Sequence, residues 1–233
     1  MTNSNPSTIV PTFITEPLTD NCQSVSARGE HALVGVSPGN SYFSEARMTD
    51  LLRWAGSQFR RVDVMVPDSA RVNTWLAVGY ERDQAERKAR GEASRLYNRA
   101  ARAWQAADVP GLEGGLHRLS EIEKRPSYQA LLRESEDLIA SDTATRESYD
   151  QVVRQVLRNY LQGAEPTVEQ TSRAAKYLIA ETPFLINTPT IMGVGSSTAI
   201  YQHRMDFLDR IYTGQTALRR SEQQAFVIAR PTS

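Results

Sequence analysis

The chain has 233 residues, with 27 Lys and Arg against 27 Asp and Glu, a formal net charge of zero. A globally basic nucleic-acid coat is excluded, so contact with a polyanion needs a local patch. One cysteine, Cys22, and three scattered histidines, His31, His117 and His203, exclude a disulfide framework and a Cys-rich zinc site, so no metal and no organic cofactor is expected. The length suits one domain. No apolar run approaches a membrane span, and Met1–Pro6 lacks the basic start and apolar core of a signal peptide, so a cytoplasmic protein with no membrane contact is expected.

Residues 1–28 are rich in Ser, Thr, Asn and Pro and predict a flexible N-terminal segment, with Thr8–Val10 and Thr12–Ile14 as possible edge strands. Residues 29–233 predict a single domain. Its first core element is the apolar run Ala32–Val36, closed by the turn residues Ser37-Pro38-Gly39-Asn40. Met48, Leu51, Leu52, Ala55 and Phe59 fall at helical spacing behind a Ser44 N-cap, and Val62–Val66 is a second strand. Strand, helix and strand in so short a span form a βαβ unit, which predicts an α/β fold with a parallel sheet.

The middle of the chain reads as helical over 69–79 and 83–106, with a strand at Leu116–Ser120 and helices over about 126–141 and 146–162. The last carries the apolar stripe Tyr149, Val152, Val153, Val156, Leu157, Tyr160 and Leu161. Thr167 opens a helix that Pro183 is expected to end near Glu181. Thr198–Tyr201 is a candidate strand and 204–213 a last helix, followed from Gly214 by an irregular tail. Gly193-Val194-Gly195 lacks the Walker lysine and the dinucleotide spacing, and reads as a flexible loop bordering the site.

Gly35-Val36-Ser37-Pro38-Gly39 fits G-x-S-x-G, a serine on a tight turn at the carboxyl end of a strand, where α/β proteins place ligands. An α/β-hydrolase needs several strands before this turn, but only 36 residues precede Ser37. A serine without a histidine base suffices when the substrate is an activated ester. A serine acyl hydrolase, using His203 and an upstream Asp, stays open as an alternative. A second alternative, a noncatalytic RNA-binding module, rests on the basic helix between Tyr80 and Trp104. There Lys88, Arg95, Arg99 and Arg102 are spaced 7, 4 and 3 and form one stripe suited to RNA phosphates.

The segment His31-Ala32-Leu33-Val34-Gly35-Val36-Ser37-Pro38-Gly39-Asn40-Ser41-Tyr42-Phe43-Ser44 resembles the signature of the cyclodipeptide synthases, which join the amino acids of two aminoacyl-tRNAs into a diketopiperazine. Val64-Met65-Val66-Pro67-Asp68, the basic helix, Tyr177-Leu178-Ile179-Ala180-Glu181 and Tyr201 match further family positions in order, over roughly residues 31–213. One departure is Gln202 directly after Tyr201, where many members carry His; here His203 comes one later.

The resemblance implies a catalytic Rossmann-like domain similar to that of the class I tyrosyl- and tryptophanyl-tRNA synthetases. No H-I-G-H or K-M-S-K-S signature is present, so ATP is not expected and the tRNA ester supplies the activation. A monomer is favoured. Ser37 is implied as the nucleophile, forming an aminoacyl-enzyme and then a dipeptidyl-enzyme in a ping-pong cycle. Tyr177 and Glu181, four apart on a helix, hold and deprotonate the α-amine, and Tyr201 relays a proton. By resemblance, Leu33, Gly35, Leu119 and Phe184 line the first residue's pocket, which predicts a small or medium aliphatic side chain. Asn40, Met65, Asn159, His203 and Met205, with Gln202 beside them, are placed at the second pocket. Its amides and imidazole, with Arg204 near, predict a polar or acidic side chain there.

Overall fold

The computed structural model describes residues 12–232. Chain order begins β1 (Phe13–Pro17), α1 (Asp20–Ser26), β2 (His31–Gly35), α2 (Glu45–Gln58), β3 (Arg61–Val66), α3 (Val72–Ala77), α4 (Arg82–Ala107) and β4 (Glu113–Arg118). It continues α5 (Leu119–Ile122), α6 (Pro126–Ser141), α7 (Thr143–Tyr160), α8 (Val168–Met192), β5 (Ser197–Tyr201), α9 (Asp206–Tyr212) and β6 (Gln224–Pro231). The strands form one sheet in the order β1-β6-β5-β2-β3-β4. All pairings are parallel except that of β1 with β6.

The chain winds outward from β2 through β3 to β4, then restarts on the other side of β2 with β5 and β6. Strand order therefore reverses between β2 and β5, which opens a crevice at their carboxyl ends. Ser37 comes just after β2, and Tyr201 ends β5, so both reach this crevice.

Side chains alternate between the two faces of a sheet. On one face the register pairs His31 with Arg61, Leu33 with Asp63 and Ala199, and Gly35 with Met65. Along the strands this face runs from a polar layer to an apolar layer to the serine turn. In the polar layer Asp63 is fully buried and accepts from His31 Nε2 at 3.0 Å, His117 Nε2 at 2.8 Å and Arg61 Nε at 2.8 Å. The carboxylate makes Nε2 of His31 a donor, and Nδ1 of the same ring bonds the Ser197 hydroxyl at 2.7 Å.

The strand expected at Leu116–Ser120 lies instead at Glu113–Arg118, with Leu119 opening α5, and four larger differences follow. The described part of the N-terminal segment is ordered: β1 pairs with β6, and α1, capped by Thr19, buries Cys22 and Val25, while the expected strand Thr8–Val10 lies outside the described residues. The tail is not irregular, because Ala225–Ala229 is an entirely buried run that inserts between β5 and β1 as β6. α8 does not stop at Pro183 but continues to Met192, with one non-helical residue at Asn187. Packing against α3, α6 and α7 overrides the backbone bond that Pro183 removes, while the helix kinks at Asn187 and Pro189 falls in the first turn of the segment that restarts there. Finally, the Gly193–Ser197 loop lies at the amino end of β5, away from Ser37. Its Gly195 N–H and Ser196 hydroxyl both donate to Glu30 at 2.7 Å, so a carboxylate of the chain itself fills it.

Burial alone would raise the Asp63 carboxyl, but the hydrogen bonds from His117 and His31 and the charge of Arg61 hold it well below the usual carboxylate range. Its contribution to stability is thus complete above about pH 4 and is lost as pH falls further. Asp63→Asn is expected to cost about 3 kcal/mol at pH 7. Denaturant midpoints should show this gap narrowing as the pH is lowered below about 4.

Candidate active site

The β2 strand delivers Ser37 into a turn that needs Gly39, whose φ is +78°. Asn40 shapes the same turn by accepting from Tyr42 N–H at 2.9 Å on its side-chain oxygen. Ser44 caps α2 as expected, accepting from Arg47 N–H. Ser37 Oγ lies 2.9 Å from the Tyr201 hydroxyl, a hydrogen bond between residues 164 apart in the chain.

No histidine nitrogen bonds the Ser37 hydroxyl among the described residues. His203 packs instead against Tyr201, with ring centroids 4.9 Å apart and planes tilted by 60°. A Ser–His–Asp array does exist, as Ser197, His31 and Asp63, but all three are at most 1% exposed and no substrate reaches them. The geometry therefore gives the hydrolase alternative no usable triad.

α8 brings Tyr177 and Glu181 to the same crevice, one helical turn apart. Burial pushes the Glu181 carboxyl up, against the hydrogen bond from Tyr177, to about 7. Burial, then the Glu181 charge, holds the Tyr177 phenol well above its ordinary value, so it remains a proton donor. Burial likewise raises Tyr201, partly offset by hydrogen bonds with Ser37 and Asn40.

Two hollows meet at Ser37. One is an apolar cavity of about 70 Å³ reaching Leu33, Gly35, Met65 and Phe184, with Phe207 and Phe226 also on its wall. The other is a groove of about 1120 Å³ bordered by Asn40, Tyr160, Tyr177, His203 and Met205. A third hollow of about 780 Å³, between α3, α4 and α8, shares no lining residue with them.

Four pocket expectations need correction. Met65 stands in register with Gly35 and lines the apolar cavity with it. Leu119 is fully buried in the cluster behind Leu33, Met65 and Phe184 and lines neither hollow. Asn159 is exposed, because two residues of helical twist carry it away from buried Leu157. Gln202 also lines neither hollow, and its buried Oε1 lacks a partner. Arg204 borders the groove, but Asp209 and Glu16 hold its guanidinium at 2.7 and 2.8 Å.

Sequence reasoning missed Arg71, Phe207 and Phe226. Arg71 lies beyond the carboxyl end of β3, where parallel sheets place ligands, and that position was the available signal.

On α4 the inner face is mostly alanine, with Leu96, which leaves the basic residues outward. Lys88 caps the Trp75 ring at 4.3 Å, Arg99 donates to the Phe43 carbonyl at 3.0 Å, and Arg102 pairs with Glu45 at 2.6 Å. Arg95 is exposed. The expected stripe is therefore partly engaged within the chain.

Fold and site together define an α/β protein with a doubly wound sheet and a serine–phenol–carboxyl centre at its strand-order reversal. A family model for cyclodipeptide synthase matches residues 13–231, and the chain belongs to that family. It is 31% identical over 222 residues to the cyclo(L-tyrosyl-L-tyrosyl) synthase of Mycobacterium tuberculosis, covering 94% of this chain and 76% of the relative. It is 30% identical over 217 residues to the cyclo(L-leucyl-L-phenylalanyl) synthase of Streptomyces noursei, covering 93% and 91%.

A solved M. tuberculosis structure, described as demonstrating that cyclodipeptide synthetases are related to type I tRNA synthetases, matches with a TM-score of 0.83 at 29% identity, over 96% of this chain and 98% of that one. A cyclodipeptide synthase from Candidatus Glomeribacter gigasporarum, solved bound to Phe-tRNAPhe, shares the fold at a TM-score of 0.58 and 14% identity, over 85% and 86%. The expected family and the synthetase-related α/β fold are both borne out. No helix among the described residues is long and apolar enough to cross a membrane.

A carboxyl raised to about 7 favours the protonated folded state, so its stabilisation is complete below the unfolded value near 4.5 and is lost as pH rises through 7. Glu181→Gln, neutral at every pH, is expected to be more stable than wild type at pH 8 by on the order of 1–3 kcal/mol. The difference should vanish below about pH 4 in paired thermal melts, while activity is lost across the range.

Proposed function

We propose that this protein joins the amino acids of two aminoacyl-tRNAs into a cyclic dipeptide by a ping-pong route through Ser37. The observation that carries the reading is the Ser37–Tyr201 hydroxyl pair set in the crevice beside Glu181. The tRNA-bound relative and the family supply the class of donor.

Ser37 Oγ attacks the ester carbonyl of the first donor. The ribose oxygen leaves with a proton, and Tyr201 is the hydroxyl placed to pass the serine proton onward. Glu181, near 7, accepts a proton from the α-ammonium and leaves a nucleophilic amine, with Tyr177 beside it as a donor that orients the group. That amine attacks the second aminoacyl ester, expels the second tRNA and gives a dipeptidyl-enzyme. The new terminal amine then attacks the Ser37 ester, closes the ring and restores the hydroxyl. Each C–O bond broken is an activated ester, so the cycle needs no ATP.

The cavity under Gly35 favours an aliphatic first residue, because its walls are apolar and its volume is about 70 Å³. Asn40 and His203 border the wider groove and favour a polar second residue. The relatives make cyclo(Tyr-Tyr) and cyclo(Leu-Phe), so the product of this chain must be read from the chain itself.

Medium from cells expressing the chain should contain a diketopiperazine mass absent from cells expressing Ser37→Ala, and labelled amino acid should become covalently attached to wild type alone. Loss of rate should reach ~1,000-fold or more. Full-rate product from Ser37→Ala would remove the serine from the mechanism.

The outer face of α4 is proposed to meet the tRNA backbone. Arg95 is the position to test, because Arg99 and Arg102 also hold the chain's own groups. Arg95→Glu should weaken use of tRNA and reduce the slope of log(kcat/KM) against log[salt] by about 1. The ratio of products should stay constant across the titration.

A further inference from the structure

Arg71 is a charged side chain that the reaction described so far does not use. It is 6% exposed, yet it borders the groove that contains Ser37, Tyr177 and Glu181. Three helices fix it. Its Nε donates to Glu92 of α4 at 3.0 Å, its Nη2 donates to the Tyr160 hydroxyl of α7 at 2.7 Å, and its plane lies 4.9 Å from the Trp75 ring of α3. Glu92 also accepts from Trp75 Nε1 at 3.3 Å, and it does not line the groove. The counter-charge therefore sits behind the guanidinium, and the groove meets the cation.

A guanidinium carries five N–H donors in a fixed fork. Nε is committed to Glu92 and one Nη2 proton to Tyr160, which leaves donors for a ligand. The serine turn closes on the same group: a Cβ at Gly39 would lie 3.3 Å from Arg71 Nη2. Gly39 thus serves the positive φ of the turn and also lets the cation stand against the turn that holds the nucleophile. Such rigid clamping is costly for a surface charge and suits recognition of a planar or tetrahedral anion.

We infer that Arg71 is a substrate-binding residue that holds the last phosphodiester of the donor's 3′ end, the one nearest the charged adenosine, while the α-amine turns toward Glu181. The site would then be bipolar, with a carboxyl for the ammonium and a guanidinium for the phosphate on the two sides of Ser37. This rests on the proposed aminoacyl-tRNA donor.

The test compares two minimal donors carrying the amino acid found in the enzyme's own product. One is aminoacyl-CpA, which retains that phosphodiester; the other is aminoacyl-adenosine, which lacks it. Wild type should acylate Ser37 from the CpA donor at least ~10-fold more efficiently, as expected for one charge-assisted contact. Arg71→Gln should bring the ratio to about 1 by slowing the CpA donor selectively, and Arg71→Lys should restore part of the preference. A wild-type ratio near 1 overturns the inference without any variant, as does an Arg71→Gln protein that slows both donors equally. If Arg71→Gln does not fold, inhibition of wild type by uncharged CpA against adenosine decides, with equal inhibition counting against it. Failure of wild type to use full aminoacyl-tRNA would instead reject the proposed function itself.

Discussion

Reversal of strand order between β2 and β5 is the constraint on which the site depends. Parallel strands all end on the same side, and helices that leave a sheet in opposite directions cannot fill the gap between them. Ser37 and Tyr201 are 164 residues apart, yet they stand on the two sides of that gap, Ser37 in the turn after β2 and Tyr201 as the last residue of β5. α8 then crosses above it, carrying Tyr177 and Glu181 to the same groove. Removing the reversal would separate the two hydroxyls by at least one strand spacing, about 4.8 Å, and break their hydrogen bond.

The site is also where the chain departs from what stability alone would select. An apolar setting keeps Glu181 near neutrality, and the same setting keeps Tyr177 a donor. A carboxyl with its pKa near 7 exchanges protons at small cost in either direction, which suits the proposed reaction, in which an ammonium is bound and then freed as an amine. Asp63, only a few residues from the crevice along the same sheet, shows the opposite solution. Three donors surround it, and it stays ionised as a fixed part of the core. Two buried carboxyls in one fold thus titrate in opposite directions because one is given three donors, Arg61 among them, and the other a phenol.

Much of this was legible in the sequence where a local rule and the tertiary structure agree. The β2 run, the serine turn and the Ser44 cap each read correctly because short-range pattern and burial coincide there, whereas the α7 stripe is buried at Tyr149, Val153 and Leu157 but exposed at Val156 and Tyr160, which face the groove. The α8 helix was cut short because Pro183 is a strong local signal, overruled by packing on three sides. β6 was hidden by its polar flanks, although Ala225–Ala229 is itself the unbroken apolar run of a fully buried strand. Pocket membership was the least legible feature. Met65, Leu119 and Asn159 each differ from expectation through which face of its element looks at the crevice, and that is decided by neighbours far away in the chain. Arg71 was missed because nothing in its own segment shows that α3, α4 and α7 converge on it.

The polar layer beneath the apolar cavity limits how the enzyme can be re-engineered. Leu33 and Met65 form part of the cavity wall, and Asp63, with its histidines, is their neighbour on the same face of the sheet. Shortening either side chain to admit a bulkier donor would not yield a deeper greasy slot. It would open a window onto an ionic cluster, admit water to it, and turn the floor of the pocket from oil-like to charged. Room in this cavity lies instead toward Phe207 and Phe226, on the wall that α9 and β6 provide, where both rings pack in an apolar cluster. The shapes that this cavity can take are therefore set by the alternation of residues along β2 and β3.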